Sequence, residues 1–250
     1  QRFRLYRKGT EIERSRYQAA DGLKFAEFQQ ELAMGATLII DSIDPFFRPL
    51  RELTSSLEST FHSRTTANLY AAWRKDNGFI LHWDQQDTFI VQVCGRKRWK
   101  VYPPTSRYPL HPLNTQSDLK PDPADKPIFD GILEDGHLLH LPRGHWHVAY
   151  PMDKPSIHLT LTVVPTTGMD LLRWIGEEAN VQPEVRMNLP QFASKGDRKA
   201  WLNSIRKQLR SLCTDDVIDR FVASLETKDP ERAPINLRDS LRKPVRRKKL

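Results

Sequence analysis

Apolar residues recur along this chain with two different spacings. From Asp21, the positions Leu23, Phe25, Phe28 and Leu32, closed by Gly35, follow the period of a short amphipathic helix, and Ala36 to Ile40 then reads as a strand. A second helix is predicted from Pro45 to Ser59. Beyond it the pattern changes to β-rich runs, Thr66 to Trp73, Asp87 to Cys94, Arg98 to Tyr102, His137 to Leu141 and Ser156 to Val164. Turn signals such as Asp76-Asn77-Gly78 and Pro142-Arg143-Gly144 separate them, which makes this part mostly antiparallel β. Residues 103 to 131 hold seven prolines and little periodicity and read as a long loop. After Pro165 the helical period returns in Met169 to Glu178, Asp197 to Leu212 and Thr214 to Leu225, with Thr214 as an N-cap ahead of Asp215 and Asp216. A boundary therefore falls near residue 166.

Composition narrows the class. The 250 residues suffice to bury one sizeable core without disulfide staples. Cys94 and Cys213 stand far apart with no C-x-x-C spacing, which argues against a disulfide scaffold and a thiolate zinc site and for a reducing, cytoplasmic compartment. No apolar run of about 18 residues exists, so a membrane span is not expected. The net charge of +8 sits at the ends: residues 1–17 carry six basic and two acidic side chains, residues 231–250 eight and two. The chain between them is near neutral, which disfavours a nucleic-acid binder that uses its whole surface. The last ten residues hold six Lys or Arg, a pattern of a solvated tail or of an electrostatic contact with RNA.

Five of the eight histidines fall between His137 and His158, which directs attention to metal ligation. His82-Trp83-Asp84 has the H-x-D spacing that places an imidazole and a carboxylate on one face of an extended segment. With a distant histidine this makes a two-histidine, one-carboxylate facial set, which leaves half of an octahedral shell open for oxygen chemistry. A closed four-ligand set would instead indicate structural zinc. G-x-S-x-G, P-loop, G-x-G-x-x-G and H-E-x-x-H motifs are all absent, and the acidic pairs Glu177-Glu178 and Asp215-Asp216 fall on predicted solvated helix faces.

The run from Phe79 to Tyr102, followed in order by Asp135-Gly136, Pro142 and Gly144-x-x-His147, resembles the JmjC-type ribosomal oxygenases, iron(II)- and 2-oxoglutarate-dependent protein hydroxylases of the cupin superfamily. The resemblance covers residues 35 to 165 well and the helical region weakly. It implies a mainly β fold with helices, a double-stranded β-helix (jelly-roll) core and a C-terminal helical region that dimerises. The implied organisation is a basic segment and helix at 1–34, the JmjC/cupin domain at 35–166, the helical region at 167–230 and the basic tail at 231–250. Transferred by position, the metal ligands are His82, Asp84 and His147, with His145 and His140 as competitors of His147. Lys97 takes the far carboxylate of 2-oxoglutarate, although read alone it is a solvated turn lysine. Asn68, Tyr70, His158 and Thr160 line the cosubstrate pocket, Thr160 as a hydroxyl donor. Trp83, Trp99 and Trp146 serve as packing and as walls.

The implied activity uses Fe(II), 2-oxoglutarate and O2 to hydroxylate an arginine or histidine of a ribosomal protein, with the basic ends suited to that partner if they touch rRNA. The alternatives are a non-catalytic cupin-type metal-binding module, a JmjC demethylase and a small-molecule hydroxylase. An enclosed pocket distinguishes the last from a protein hydroxylase, which needs an open groove lined by residues such as Arg74, Gln85 and Asp87.

Overall fold

The computed structural model describes residues 2–74, 78–110, 121–122, 125–152 and 155–228. His111, the turn residues Asp76 and Asn77, the middle of the proline-rich stretch and the basic tail at 231–250 lie outside the described residues. Two compact units, 1–166 and 167–250, emerge.

In the first unit the strands are β1 (Phe3–Arg7), β2 (Thr10–Glu11), β3 (Gln18–Ala19) and β4 (Gly22–Leu23), followed by helix α1 (Phe25–Ala33), β5 (Thr37–Ile40) and helix α2 (Arg48–Phe61). Then come β6 (Thr65–Ala72), β7 (Asp87–Cys94), β8 (Lys97–Tyr102), β9 (Phe129–Leu133), β10 (Leu138–Leu141), β11 (Trp146–Pro151) and β12 (Ser156–Val163). A seven-stranded sheet runs in the order β10-β7-β12-β6-β5-β1-β2 and a three-stranded one in the order β11-β8-β9. All of their pairings are antiparallel. Ile90 and Leu141 of the larger sheet share one buried cluster with Trp99, Val101 and Leu133 of the smaller one. Two antiparallel sheets closed on a common apolar interior form the expected double-stranded β-helix.

Three elements differ from the expectation. Residues 1–34 do not stand apart: β1 pairs with β5, Arg4 opposite Ile39, and so extends the main sheet. The cause is legible as a period of two, since Phe3 and Leu5 turn toward Tyr17, Phe28 and Leu32 while Arg4 and Tyr6 take the other face. The proline-rich stretch ends in β9, which pairs with β8 from Lys97↔Leu133 to Val101↔Phe129. β11 also carries no separate sequence signal, because its flanks are a tight turn and Pro151, yet it pairs with β8 over its whole length.

In the second unit, α3 (Gly168–Ala179), α4 (Pro183–Arg186), α5 (Lys195–Leu212) and α6 (Val217–Lys228) bury Trp174, Ile175 and Phe221 among Leu171, Leu212, Val217 and Leu225. Helix α6 starts at Val217 rather than Thr214, because the Thr214 hydroxyl bonds the Asp216 carboxylate in a turn that precedes the helix. Among the described residues no helix is long and apolar enough to cross a membrane.

Candidate metal centre

The segment Leu81–Gln86 belongs to no named strand, but the sheet chemistry reaches it. His82 and His147 exchange backbone hydrogen bonds in both directions, His82 N to His147 O at 3.1 Å and His147 N to His82 O at 2.7 Å. Residues directly opposite in an antiparallel bridge project to the same side, and the two imidazoles lie 4.4 Å apart. Two residues on, the Asp84 carbonyl accepts from Gly144 N at 2.8 Å, so one end of the H-x-D segment is tied to β11 and the other to the turn that leads into it. Asp84 Oδ2 then lies 3.6 Å from His147 Nε2, and one ligand atom from each of His82, Asp84 and His147 falls within 4.8 Å of the others.

The ring orientations suit ligation. His82 Nδ1 is 2.8 Å from the Ile80 carbonyl and His147 Nδ1 is 3.0 Å from the His145 carbonyl. In the tautomer that donates to these acceptors, each Nε2 keeps its lone pair for a cation. Burial, aided by the neighbouring His82, holds the His147 pKa below the usual imidazole range, which keeps the ring neutral. The two competitors are placed elsewhere: His145 Nδ1 is 3.0 Å from the Pro142 carbonyl, and the exposed His140 stacks on Phe89 at 4.7 Å.

A cavity of about 200 Å³ opens beside His82, Asp84 and His147, lined by both sheets. Lys97, Trp99, His147, Ala149 and Pro151 come from β8 and β11, and Tyr70, Ile90, His158 and Thr160 from the larger sheet. Lys97 is no solvated turn lysine: it is 4% exposed, and Nζ lies 3.0 Å from His158 Nδ1. Burial brings its pKa down to about 7. Burial first and Lys97 second drive the His158 pKa well below its usual value, so His158 accepts as a neutral ring. Tyr70 stacks on that ring, 4.8 Å away and 7° from parallel. Burial raises the phenol pKa, with a further push from Asp84, so Tyr70 stays protonated.

Asn68 is the exception among the expected pocket residues. It shares a sheet row with Thr160, but its Oδ1 accepts from Ser42 N at 2.8 Å, and it does not line the cavity. Ser42 has φ 48°, a left-handed conformation, and the Asn68 amide satisfies its N–H. Of the three expected tryptophans only Trp99 lines the cavity, while Trp83 and Trp146 are buried without lining it. Arg4, Thr37 and Phe79 also line the cavity and were not among the expected site residues. For Arg4 the alternation of β1 was the available signal.

A family model described as JmjC domain matches residues 44–171, half of the chain. This chain belongs to the JmjC-domain family. The metal set, Lys97 and the Tyr70–His158 stack all lie inside the matched JmjC region, whereas Arg4 and Thr37 precede it. The chain is similar to the bifunctional lysine-specific demethylase and histidyl-hydroxylase NO66 of Drosophila mojavensis, with 34% identity over 130 residues that cover 52% of this chain and 15% of that protein. The Drosophila pseudoobscura pseudoobscura NO66 is 34% identical over 213 residues, 78% of this chain and 22% of the relative. The chain thus spans about a fifth of the length of these curated relatives. Among solved structures, Escherichia coli ribosomal oxygenase YcfD superposes with a TM-score of 0.55 at 17% identity, covering 88% of this chain and 57% of that one. YcfD in complex with cobalt and 2-oxoglutarate gives 0.54 at 17%, covering 90% and 58%. At that identity the likeness bears on the fold, and it places this JmjC chain on the same jelly-roll.

Proposed function

We propose that this chain is an iron(II)- and 2-oxoglutarate-dependent oxygenase that hydroxylates a side chain of a protein substrate. The observation that carries the reading is the convergence of two imidazoles and one carboxylate within 4.8 Å on the wall of a cavity that also holds a buried lysine. The donor set fits a divalent first-row cation: two neutral nitrogen donors, one carboxylate oxygen and no thiolate, with His82, Asp84 and His147 as the holders. Iron(II) bound there with 2-oxoglutarate and O2 supplies the oxidising power to insert oxygen into a C–H bond while the cosubstrate becomes succinate and CO2.

The protein's own part is binding, orientation and exclusion of water. Lys97 donates a charge-assisted hydrogen bond to the distal carboxylate of the dicarboxylate, which compensates the cost of its burial. Neutral His158 orients the ammonium from behind, Tyr70 fixes the His158 ring by stacking, and Thr160 adds a hydroxyl donor from the adjacent row. Trp99 walls the cavity between the imidazoles of His147 and His158, 6.1 and 5.6 Å from their centroids.

The substrate in this reading is a side chain of a ribosomal protein, supported by the histidyl-hydroxylase and ribosomal-oxygenase names of the similar proteins. A homodimer through the helical unit accompanies it, supported by the exposed Leu172, Val181, Met187, Leu189 and Phe192 of that unit. The test is anaerobic Fe(II) titration followed by an aerobic succinate assay with Asp84→Ala as control, and mass spectrometry of ribosomal proteins from cells with and without the gene. Succinate no higher than in the Asp84→Ala control overturns the catalytic reading in favour of a non-catalytic cupin module.

A further inference from the structure

Lys97 is a buried amine without a counter-charge. Among the described residues its Nζ has one polar partner, the Nδ1 of His158 at 3.0 Å, and that ring is neutral. Asp84 is the one carboxylate among the described residues of the cavity wall, and it stands by His147, at 3.6 Å, rather than by Lys97. Burial therefore penalises the ammonium form with no ion pair to compensate it. A desolvated lysine keeps its lone pair and is a nucleophile. With a pKa of about 7, roughly three quarters of the Lys97 amine is uncharged at pH 7.5, against about one part in a thousand for a lysine in water.

The surroundings suit one electrophile. Tyr70, directly opposite His158 on β6, and Thr160, two residues along β12 on the same face, line the cavity with Lys97. Neither hydroxyl is hydrogen-bonded to another described residue, and the Tyr70 phenol stays protonated. CO2 is small and uncharged, so it enters without the desolvation cost of an ion. Its addition to an amine creates an oxyanion, for which these two hydroxyls are free donors. The nitrogen retains one hydrogen, which keeps the bond to His158 Nδ1.

We propose that Nζ of Lys97 is a carbamylation site, which takes up CO2 when no dicarboxylate occupies the cavity. The uncharged nitrogen attacks the carbon of CO2: an N–C bond forms, one C–O π bond becomes an oxygen lone pair, and one proton leaves Nζ for solvent. An amine and CO2 thus give a carbamate and a proton, with nothing oxidised or reduced. The cation that holds the distal carboxylate of 2-oxoglutarate becomes an anion, so carbamate and cosubstrate exclude one another. The inference rests on the oxygenase reading above for the competing dicarboxylate and for CO2 released inside the cavity, and on the cavity alone for the site.

The full chain, loaded with manganese(II), is equilibrated without O2 at pH 7.5 with carbon-13 bicarbonate, trapped with a trialkyloxonium salt and digested. Mass spectrometry then reads the alkoxycarbonyl label on each lysine. Lys97 is expected to carry about tenfold more label than the exposed Lys199 and Lys207, and saturating 2-oxoglutarate to remove most of it. Calorimetric titration reads the reverse effect: bicarbonate weakens 2-oxoglutarate binding to the wild-type protein by about threefold or more and leaves Lys97→Arg unaffected, because a guanidinium stays charged. A second arm with iron(II), O2 and no added bicarbonate supplies the carbon-13 in the carboxyl next to the keto group of 2-oxoglutarate and runs until that is consumed. Label on Lys97 there assigns the CO2 to turnover, and its absence there assigns it to dissolved bicarbonate. A Lys97 label in the bicarbonate arm no higher than on the exposed lysines, or one that 2-oxoglutarate leaves in place, overturns the proposal. Label on Lys97 with succinate no higher than in Asp84→Ala sinks the oxygenase reading and leaves the site standing, whereas succinate without the label does the reverse.

Discussion

Lys97 is the residue on which stability and function pull in opposite directions. Its pKa falls from an ordinary 10.5 to about 7 because the ammonium is buried. The folded pKa lies below the unfolded one, so the folding cost is fully present below pH 7, and stability rises as pH increases from about 7 toward 10.5. Lys97→Met removes that cost: we expect a gain on the order of 4 kcal/mol at neutral pH, read as a higher urea midpoint, together with loss of 2-oxoglutarate binding. A dicarboxylate favours the ammonium form, so its affinity is full below pH 7 and declines above it by up to about tenfold per pH unit until the pKa of the complex is reached. Calorimetric titration of 2-oxoglutarate between pH 6.5 and about 9 checks this, and Lys97→Arg, which stays charged, flattens the profile. Sequence spacing alone left Lys97 as a turn residue in water. Its burial follows from two pairings at once, opposite Pro151 on β11 and opposite Leu133 on β9, neither of which carries a local signal.

At the scale of elements, the site depends on how the turn before β11 is held. Gly144 has φ 82°, a Cβ there would come within 2.9 Å of Pro109, and its N–H holds the Asp84 carbonyl. Gly144→Ala is expected to cost roughly 1–3 kcal/mol and to weaken Mn(II) affinity more than it lowers 2-oxoglutarate affinity, since it displaces Asp84 and His147 rather than Lys97. Two metal titrations, with and without the dicarboxylate, read the difference. The N-terminal strand is equally necessary: Leu5 is fully buried against Tyr17 and Ala36, and Leu5→Ala should cost about 2–5 kcal/mol by urea denaturation. The amphipathic helices α1 and α2 and the long strands β6, β7 and β12 were legible because each carries its own period over at least eight residues. β9 and β11 were not, and the alternation of β1 was too short to decide by itself, because five or six residues with prolines or charges nearby read equally well as loop until a partner strand is present.

For the whole molecule, the three proposed metal ligands, Lys97 and every cavity-lining residue fall in the unit 1–166. Residues 1–166 expressed alone should therefore bind Mn(II) with the affinity of the whole chain, and a tenfold or greater loss would show that the helical unit contributes to the site. Light scattering of the whole chain at micromolar concentration tests the dimer, for which a monomer mass is the contrary result. The sequence by itself determined the β-rich core with a helical C-terminal region and offered the His82-x-Asp84 pair, because hydrophobic period and H-x-D spacing are local properties that a linear chain displays, while His147 was chosen over His145 and His140 only through the order of motifs that the resemblance supplied. Only the tertiary structure decided that Lys97 is buried against His158, that Asn68 serves a neighbouring turn, and that Arg4 of the first strand reaches the cavity wall. Each of these depends on which strand lies beside which, and strand order is set by long-range pairing that no local pattern encodes.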